Sequence, residues 1–282
     1  MNLFDETKFI MKKNNIVANK SLGQNFLIDE DVVNNIVESA GVSKNDIIIE
    51  IGPGLGTLTK YLLDRAKKVI CIELDKRMVS ILEDRFSLYK NFQLINDDVL
   101  KVDLKEIIKE NKTSEDVKVK VVANLPYYIT TPIIMKLLED RLDIESITVM
   151  IQKEVAERLA AVPGEKETGS ITYSINYYTE PEIVMTVPNN SFIPEPEVTS
   201  AVIRLNVLDN PRINVKDEKM FFKVIKVAFM QKRKTLVNGL VNGGIFANKE
   251  AAEMALNELG IDTKIRGEKL SLEDFGKIAD IL

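Results

Sequence analysis

The stretch IEIGPGLGTLTKYL, at residues 49–62, decides the fold. It begins inside a run of apolar β-formers, IIIEI at 47–51, and glycines follow at positions 52, 54 and 56. Apolar residues then recur at helical spacing, so the pattern predicts a strand, a tight loop and a helix. Glycines in such a loop let the backbone turn sharply and approach a ligand with no Cβ in the way.

Short apolar runs like this one repeat through the first half of the chain. They are IIIEI (47–51), VICIEL (69–74), FQLIN (92–96), VKVVANL (119–125) and SITVMIQ (146–152). Amphipathic, helix-like segments lie between them, at 57–66, 76–87 and 131–140. Continuous apolar strands that alternate with helices predict a parallel sheet covered on both faces.

The second half of the chain changes character. TYSINYY (172–178), EIVMTV (182–187) and SAVIRLNV (200–207) predict further strands without long helices between them, and therefore an antiparallel edge. LDNPR (208–212) is a turn-rich boundary, and the remainder is typical of several helices. We therefore predict an α/β, Rossmann-like sheet domain over residues 1–208 and a small all-helical domain over 209–282.

Composition excludes several classes of chemistry. The 282 residues include no histidine and a single cysteine, Cys71, and the net charge is −5. Without histidine the usual general base, the serine–histidine arrangements and histidine zinc sites are excluded. One cysteine excludes an intrachain disulfide, and with no signal peptide or membrane-spanning run it indicates a cytoplasmic protein.

An acidic residue stands where a ribose would be recognised. Glu73 ends the second apolar run, and a carboxylate there can accept both ribose hydroxyls. The glycine spacing is G-x-G-x-G rather than the dinucleotide G-x-G-x-x-G, so a ligand with one nucleoside, such as S-adenosylmethionine, fits better. Asp97 and Asp98 close the third strand, and Asp98 is our choice for the adenine amino group, although a helix cap explains it equally well.

The segment VVANLPYYITTP, at 121–132, ends the fourth strand with an amide, a proline and two phenols. Pro126 cannot donate to a sheet ladder, so the strand ends about there in a stiff turn. Because ligands of open α/β sheets bind over the carboxyl ends of the strands, we expect Asn124 to face the same crevice as Gly52 and Glu73.

With these motifs the chain resembles the ribosomal RNA adenine N6-dimethyltransferase family. Seven segments carry the resemblance in order: KSLGQNFL (20–27), IEIGPGLGTLT (49–59), IELD (72–75), NLPYYITTPI (124–133), QKEVAERL (152–159), PNNSFIPEPEVTSAVI (188–203) and AFMQKRKTL (228–236). It implies an S-adenosylmethionine methyltransferase fold. It also implies dimethylation of two adjacent adenosines near the 3′ end of small-subunit (16S) rRNA, on the pre-30S particle.

The resemblance also implies roles for individual residues. The residues expected to bind S-adenosylmethionine are Asn25, Leu27, Gly52, Gly54, Gly56, Glu73, Asp98 and Asn124. The side-chain oxygen of Asn124 and the carbonyl of Leu125 would accept the N–H groups of the target amine. Tyr127 below and Phe192 above would sandwich the flipped base, whereas we expect Tyr128 to be a core aromatic.

A basic stretch, KMFFKVIKVAFMQKRK at 219–234, contains six basic residues and no acidic one. It is either a solvated helix face or an rRNA backbone contact, and we favour RNA contact through Lys223, Lys226, Arg233 and Lys234. We expect a monomer with no metal and no membrane association. One departure from the family is Thr168, where relatives commonly carry an aromatic residue.

Three other functions remain open on sequence alone. One is the sister activity, which methylates large-subunit rRNA and confers antibiotic resistance. Another is a non-enzymatic ribosome-assembly factor that retains the fold. The third is a nicotinamide-dependent dehydrogenase, which the glycine spacing and the lack of a histidine acid disfavour.

Overall fold

A computed structural model describes residues 2–19, 22–165, 167–231 and 234–282. The chain divides into two compact units, the first comprising Met1–Ala156 and Glu182–Val207, the second Glu157–Pro181 and Leu208–Leu282. The sequence placed all of residues 1–208 in one domain. The structure instead groups the segment 157–181 with the helices that follow residue 207.

The nine strands of the described residues form two sheets. They are β1 (Phe26–Leu27), β2 (Ile47–Ile51), β3 (Lys68–Glu73), β4 (Phe92–Asn96), β5 (Val119–Asn124), β6 (Ser146–Gln152), β7 (Thr179–Val187), β8 (Phe192–Ile193) and β9 (Ser200–Val207). Seven lie in one sheet of order β4-β3-β2-β5-β6-β9-β7, while β1 and β8 form a separate antiparallel ribbon.

The five predicted parallel strands and the antiparallel edge are confirmed. Strand β2 pairs in parallel with β3 on one side and with β5 on the other, and β9 runs antiparallel to β6. All five residues of β2 are buried, as expected for a strand covered on both faces. The strand order reverses between β2 and β5, which is where open α/β sheets bind their ligands.

Helices cover this sheet, and two of them precede its first strand in the chain. Those that begin in the first unit are α1 (Leu3–Lys13), α2 (Glu30–Ser39), α3 (Thr57–Arg65), α4 (Lys76–Phe86), α5 (Leu104–Asn111), α6 (Thr130–Glu139) and α7 (Lys153–Ala160). Aspartates cap several of them: the Asp29 carboxylate accepts the Asp31 and Val32 N–H groups, and that of Asp75 accepts the Arg77 N–H.

The second unit is helical, as predicted for the C-terminal region. Its helices are α8 (Ser170–Tyr178), α9 (Glu218–Met230), α10 (Leu236–Asn242), α11 (Lys249–Glu258) and α12 (Leu272–Asp280). Across the described ranges, no helix combines the length and the apolar character needed to cross a membrane.

The strand predicted over 172–178 is wrong, because these residues form α8. The ring of Tyr173 packs edge-on against Phe275 with centroids 5.0 Å apart, and its hydroxyl donates to the Leu270 carbonyl at 2.7 Å. One turn later, Tyr177 packs on Phe221 at 5.1 Å. Aromatic packing at this four-residue spacing favours a helix and outweighs the strand propensity of the individual residues.

Candidate active site

A cavity in the first unit lies over the carboxyl ends of the parallel strands. It is lined by residues 22–27, 50–55, 57–58, 72–74, 97–99, 124–129 and 133. The structure therefore brings together the glycine loop, Glu73, Asp98, the Asn124 turn and the N-terminal segment with Asn25 and Leu27. No group of three or more His, Cys, Asp or Glu side chains suited to a metal ion occurs within the described ranges.

Gly52 and Gly56, two of the three glycines in the loop, have different surroundings. All adopt left-handed backbone conformations, with φ of 65° at Gly52, 59° at Gly54 and 79° at Gly56. A Cβ on Gly52 would meet no protein atom within 4 Å, whereas one on Gly56 would lie 2.4 Å from the Phe86 ring. Gly56 does not line the cavity, so it serves helix packing instead of the cofactor contact expected from the sequence.

Glu73, the last residue of β3, fastens this loop. One of its carboxylate oxygens accepts the Gly54 N–H at 3.1 Å and the other accepts the Asp75 N–H at 2.8 Å. The side chain is buried, and burial raises its pKa above the ordinary value. Each oxygen keeps lone-pair capacity for a further donor, as binding to a diol requires.

Both aspartates after β4 line the cavity. The Asp97 carboxylate accepts the Asp98 N–H at 2.7 Å, and that of Asp98 accepts the Leu100 N–H at 3.0 Å. Asp98 is the less exposed of the two. Since each carboxylate also closes a local turn, the choice of Asp98 for the adenine amino group stays a prediction.

Asn124 ends β5 and faces the N-terminal segment. Its side-chain amide donates to the Asn25 carbonyl at 3.3 Å, and its oxygen has no partner among the residues that the structure describes. The next residue is fixed too, because the Leu125 N–H donates to the Met150 carbonyl at 3.1 Å. An amide oxygen and the following backbone are thus held at the edge of the cavity.

Of the two tyrosines in this turn only Tyr128 departs from expectation, while the role of Tyr127 stays a prediction. Both line the cavity, but Tyr127 is half-buried and its hydroxyl lies 2.6 Å from the Ser200 hydroxyl, while burial raises its pKa. Tyr128, expected to be a core aromatic, is 59% exposed. The prediction for Tyr128 is therefore wrong, and its ring is available at the cavity edge.

Phe192 also needs a correction. The sequence placed its ring above a bound base, but the side chain is only 2% exposed and does not line the cavity. Strand β8 pairs with β1, opposite Leu27, and this directs Phe192 into the core cluster that contains Val33 and Val187. In this structure Phe192 is a packing residue.

Three of the four predicted RNA-binding residues lie in the described part of the second unit. Lys223 and Lys226 are exposed on α9, and Lys234 is exposed after it. The α9 residues Phe221, Val224 and Ala228 are buried. Arg233 lies outside the described residues.

Glu50 is a cavity residue that the sequence analysis missed. It lies in β2 opposite Cys71, whose thiol donates to its carboxylate at 3.4 Å. Glu50 is 1% exposed, and burial raises its pKa to about 7. The signal was present in the sequence, since an acid inside the apolar run IIIEI needs a reason to be there.

The chain is similar to a known protein family and to named relatives. A family model described as ribosomal RNA adenine dimethylase matches residues 15–282. A Clostridium botulinum protein named ribosomal RNA small subunit methyltransferase A is 52% identical over 276 residues, which cover 98% of each chain.

Two solved structures have a fold similar to that of this chain. A dimethyladenosine transferase from Plasmodium falciparum has a TM-score of 0.72 and 27% identity, covering 90% of this chain and 95% of its own. The 23S rRNA methyltransferase ErmE has a TM-score of 0.68 and 25% identity, covering 90% and 98%.

The separate surroundings of Gly52 and Gly56 predict different outcomes for their alanine substitutions. Gly56→Ala should lower the free energy of unfolding by about 2–4 kcal/mol, because strained backbone and overpacking against Phe86 add. Gly52→Ala should cost only about 1 kcal/mol of stability yet weaken S-adenosylmethionine binding at least about tenfold. Urea unfolding and calorimetric titration measure the two effects, and equal stability losses would contradict the assignment.

The raised pKa of Glu50 predicts a pH-dependent gain from Glu50→Gln. The folded-state pKa of about 7 exceeds the ordinary 4.5, so the stability contributed by the protonated acid is complete below pH 4.5 and lost as pH rises through 7. The variant should therefore gain up to about 3 kcal/mol relative to the parent between pH 4.5 and 8. Urea unfolding at both pH values tests this, with Glu106→Gln, on an exposed face of α5, as a pH-independent control.

Proposed function

The chain belongs to the ribosomal RNA adenine dimethylase family, and from this premise we propose that it methylates adenine N6 in small-subunit rRNA with S-adenosylmethionine as donor. The substrate implied by the family is a pair of adjacent adenosines near the 3′ end of 16S rRNA, each methylated twice. The observation that carries the proposal is the meeting of Gly52, Glu73 and Asn124 at one cavity.

The cavity suits S-adenosylmethionine by its hydrogen-bond acceptors and its free space. Glu73 offers a buried carboxylate for the ribose hydroxyls, and Gly52 leaves room where a side chain would intrude. Asp98 is proposed for the adenine amino group, with Asn25 and Leu27 on the N-terminal side. When bound, the cofactor supplies a methyl group on a positively charged sulfur.

The protein's task is to align a weak nucleophile. The lone pair of adenine N6 is delocalised into the ring, and hydrogen bonds from its N–H groups to the Asn124 oxygen and the Leu125 carbonyl would turn it out of the ring plane. The methylated nitrogen is positively charged and releases its proton to water, so no strong base is required. Catalysis by alignment and preorganised acceptors suits a chain without histidine.

Adenine N6 is unreachable in a stacked helix, so the base must be extruded. We propose that Tyr127, whose hydroxyl is anchored on Ser200, supports one face of the flipped adenine. Phe192 is buried and offers no second face in this structure. The exposed ring at the cavity is Tyr128, which we propose stacks on the nucleotide beside the target.

Contacts to the rRNA backbone are proposed for the second unit. The exposed lysines Lys223, Lys226 and Lys234 carry charges that phosphates would neutralise. Large-subunit rRNA is the second candidate substrate, because the fold is shared with ErmE at 25% identity. The 52% identity to a protein named for the small subunit favours the first.

Methyl transfer to immature ribosomal subunits tests the proposed function. With labelled S-adenosylmethionine, the protein should label adenine N6 in small subunits and leave large subunits unlabelled. Asn124→Ala should reduce the rate at least about 100-fold, as expected when a preorganised hydrogen-bond acceptor is lost, while particle binding stays within about threefold. Labelling of large subunits alone, or full activity of the variant, would contradict the proposal.

The proposed role of Tyr128 separates ring from hydroxyl. Tyr128→Ala should raise the KM for the rRNA substrate roughly 5- to 150-fold, because one base–aromatic stack contributes about 1–3 kcal/mol. Tyr128→Phe keeps the ring and should retain the parental KM. Steady-state kinetics on small subunits measure both variants, and a phenylalanine variant as impaired as the alanine variant would exclude stacking.

A further inference from the structure

A second concave surface lies on helix α1, away from the cofactor residues. Leu3, Thr7 and Ile10 are buried, whereas Lys8 and Phe9 are exposed on the helix, Phe9 by 58%. A groove here is lined by side chains of α1, of the turn after it and of strand β8; we name it the α1 groove, and it comprises Lys8, Met11, Lys12, Asn15, Ile16, Val17 and Ile193.

Helix α1 is held firmly, so this exposure is not the result of a frayed end. The Glu6 carboxylate pairs with Arg85 at 2.5 Å and with Lys60 at 3.0 Å. At the other end Asn15 takes a left-handed conformation, with φ of 52°, and the Ile16 N–H returns to the Met11 carbonyl at 2.8 Å. Such a C-terminal turn fixes the direction in which the chain leaves the helix.

The charged residues that line the α1 groove are two lysines, which favour an anionic ligand. Lys8 and Lys12 lie one turn apart and form no ion pair with any described carboxylate. The neighbouring Lys13 does, with Asp84 at 2.9 Å. The Lys8 ammonium lies 4.0 Å from the centroid of the Phe4 ring. In a protein of net charge −5, two lysines without an ion pair beside apolar side chains match a ligand with both phosphates and bases.

The α1 groove is continuous with the active site through the β1–β8 ribbon. Ile193 lines the groove and pairs with Phe26 across the ribbon. Phe26 in turn lines the cofactor cavity, where its ring lies 3.4 Å from the position of a Cβ on Gly54. A strand that leaves the cavity over this ribbon therefore reaches the α1 groove.

We propose that the α1 groove binds the single-stranded rRNA that flanks the target adenosines. Lys8 and Lys12 contact phosphates, and the aliphatic side chain of Val17 packs against a base. The ring of Phe9, which is exposed on α1 beside the groove, packs against another base. This assignment rests on the proposed function, since it extends the same substrate beyond the cavity. A protein partner is disfavoured because the α1 groove combines two lysines with a small apolar area, and none of its seven described lining residues carries a carboxylate.

The test compares two pairs of lysines. Lys8→Ala/Lys12→Ala should raise the KM for small-subunit rRNA about tenfold and lower the slope of log binding constant against log salt by about 2, one for each phosphate contact. The turnover number at saturating rRNA and the affinity for S-adenosylmethionine should not change. The matched control is Lys105→Ala/Lys109→Ala, an exposed pair at the same spacing on α5, which should leave KM and salt slope as in the parent.

The outcomes separate this inference from the proposed function. A KM and salt slope equal to those of the control would overturn the inference even if adenine methylation is normal. An effect on assembled particles but not on naked rRNA would overturn it too, because the partner would then be a ribosomal protein. If the parent protein methylated no adenine N6, the proposed function would fail, and rRNA binding by the same variants, measured without turnover, would still decide the inference.

Discussion

The central strands of the first unit are buried on both faces, and this constraint decides where chemistry can occur. Every residue of β2 is buried, and in β3 all but Lys68 are. Polar groups inside such a sheet must find partners or remain uncharged, so functional side chains collect where the strands end. Glu73 and Asn124 are the last residues of β3 and β5, and both face the reversal of strand order beside β2.

Hydrogen bonds between neighbouring strand ends then fix the shape of the cavity. Glu73 receives the Gly54 N–H, and the Asn96 amide donates to the Glu73 carbonyl at 2.8 Å. Asn124 reaches the Asn25 carbonyl across the cavity edge. The first contact ties the glycine loop to the end of β3, the second joins the ends of β4 and β3, and the third ties the N-terminal segment to the end of β5.

The sequence was sufficient where one physical rule dominated. Continuous apolar runs predicted the five parallel strands, and the glycines with Glu73 predicted the edge of the sheet at which the cavity lies, because both depend on local pattern. The strand predicted over 172–178 failed because that segment is buried on nearly all sides, which removes the periodicity that separates helix from strand. Its aromatic partners, Phe221 and Phe275, lie far along the chain.

The expectations for Phe192 and Tyr128 were wrong for a related reason. Whether a loop ring is buried depends on a pairing between two two-residue strands, β1 and β8, that are separated by more than 160 positions and have no sequence signature. That pairing turns Phe192 inward. Tyr128, in contrast, follows Pro126 in a short turn and stays exposed. Exposure is a tertiary property, so a motif can name the right segment and still assign the wrong ring.

When catalysis depends on alignment, its rate depends on how rigidly the hydrogen-bond acceptors are held. Here Pro126 restricts the turn, the Leu125 N–H is bound to Met150, and the Tyr127 hydroxyl rests against Ser200, so the segment after Asn124 is anchored at consecutive points. A displacement of about 1 Å can cost two orders of magnitude in rate when positioning supplies the catalysis. In the proposed mechanism these anchors would hold the acceptors that direct the lone pair of the target nitrogen, and the proton would be left to the solvent.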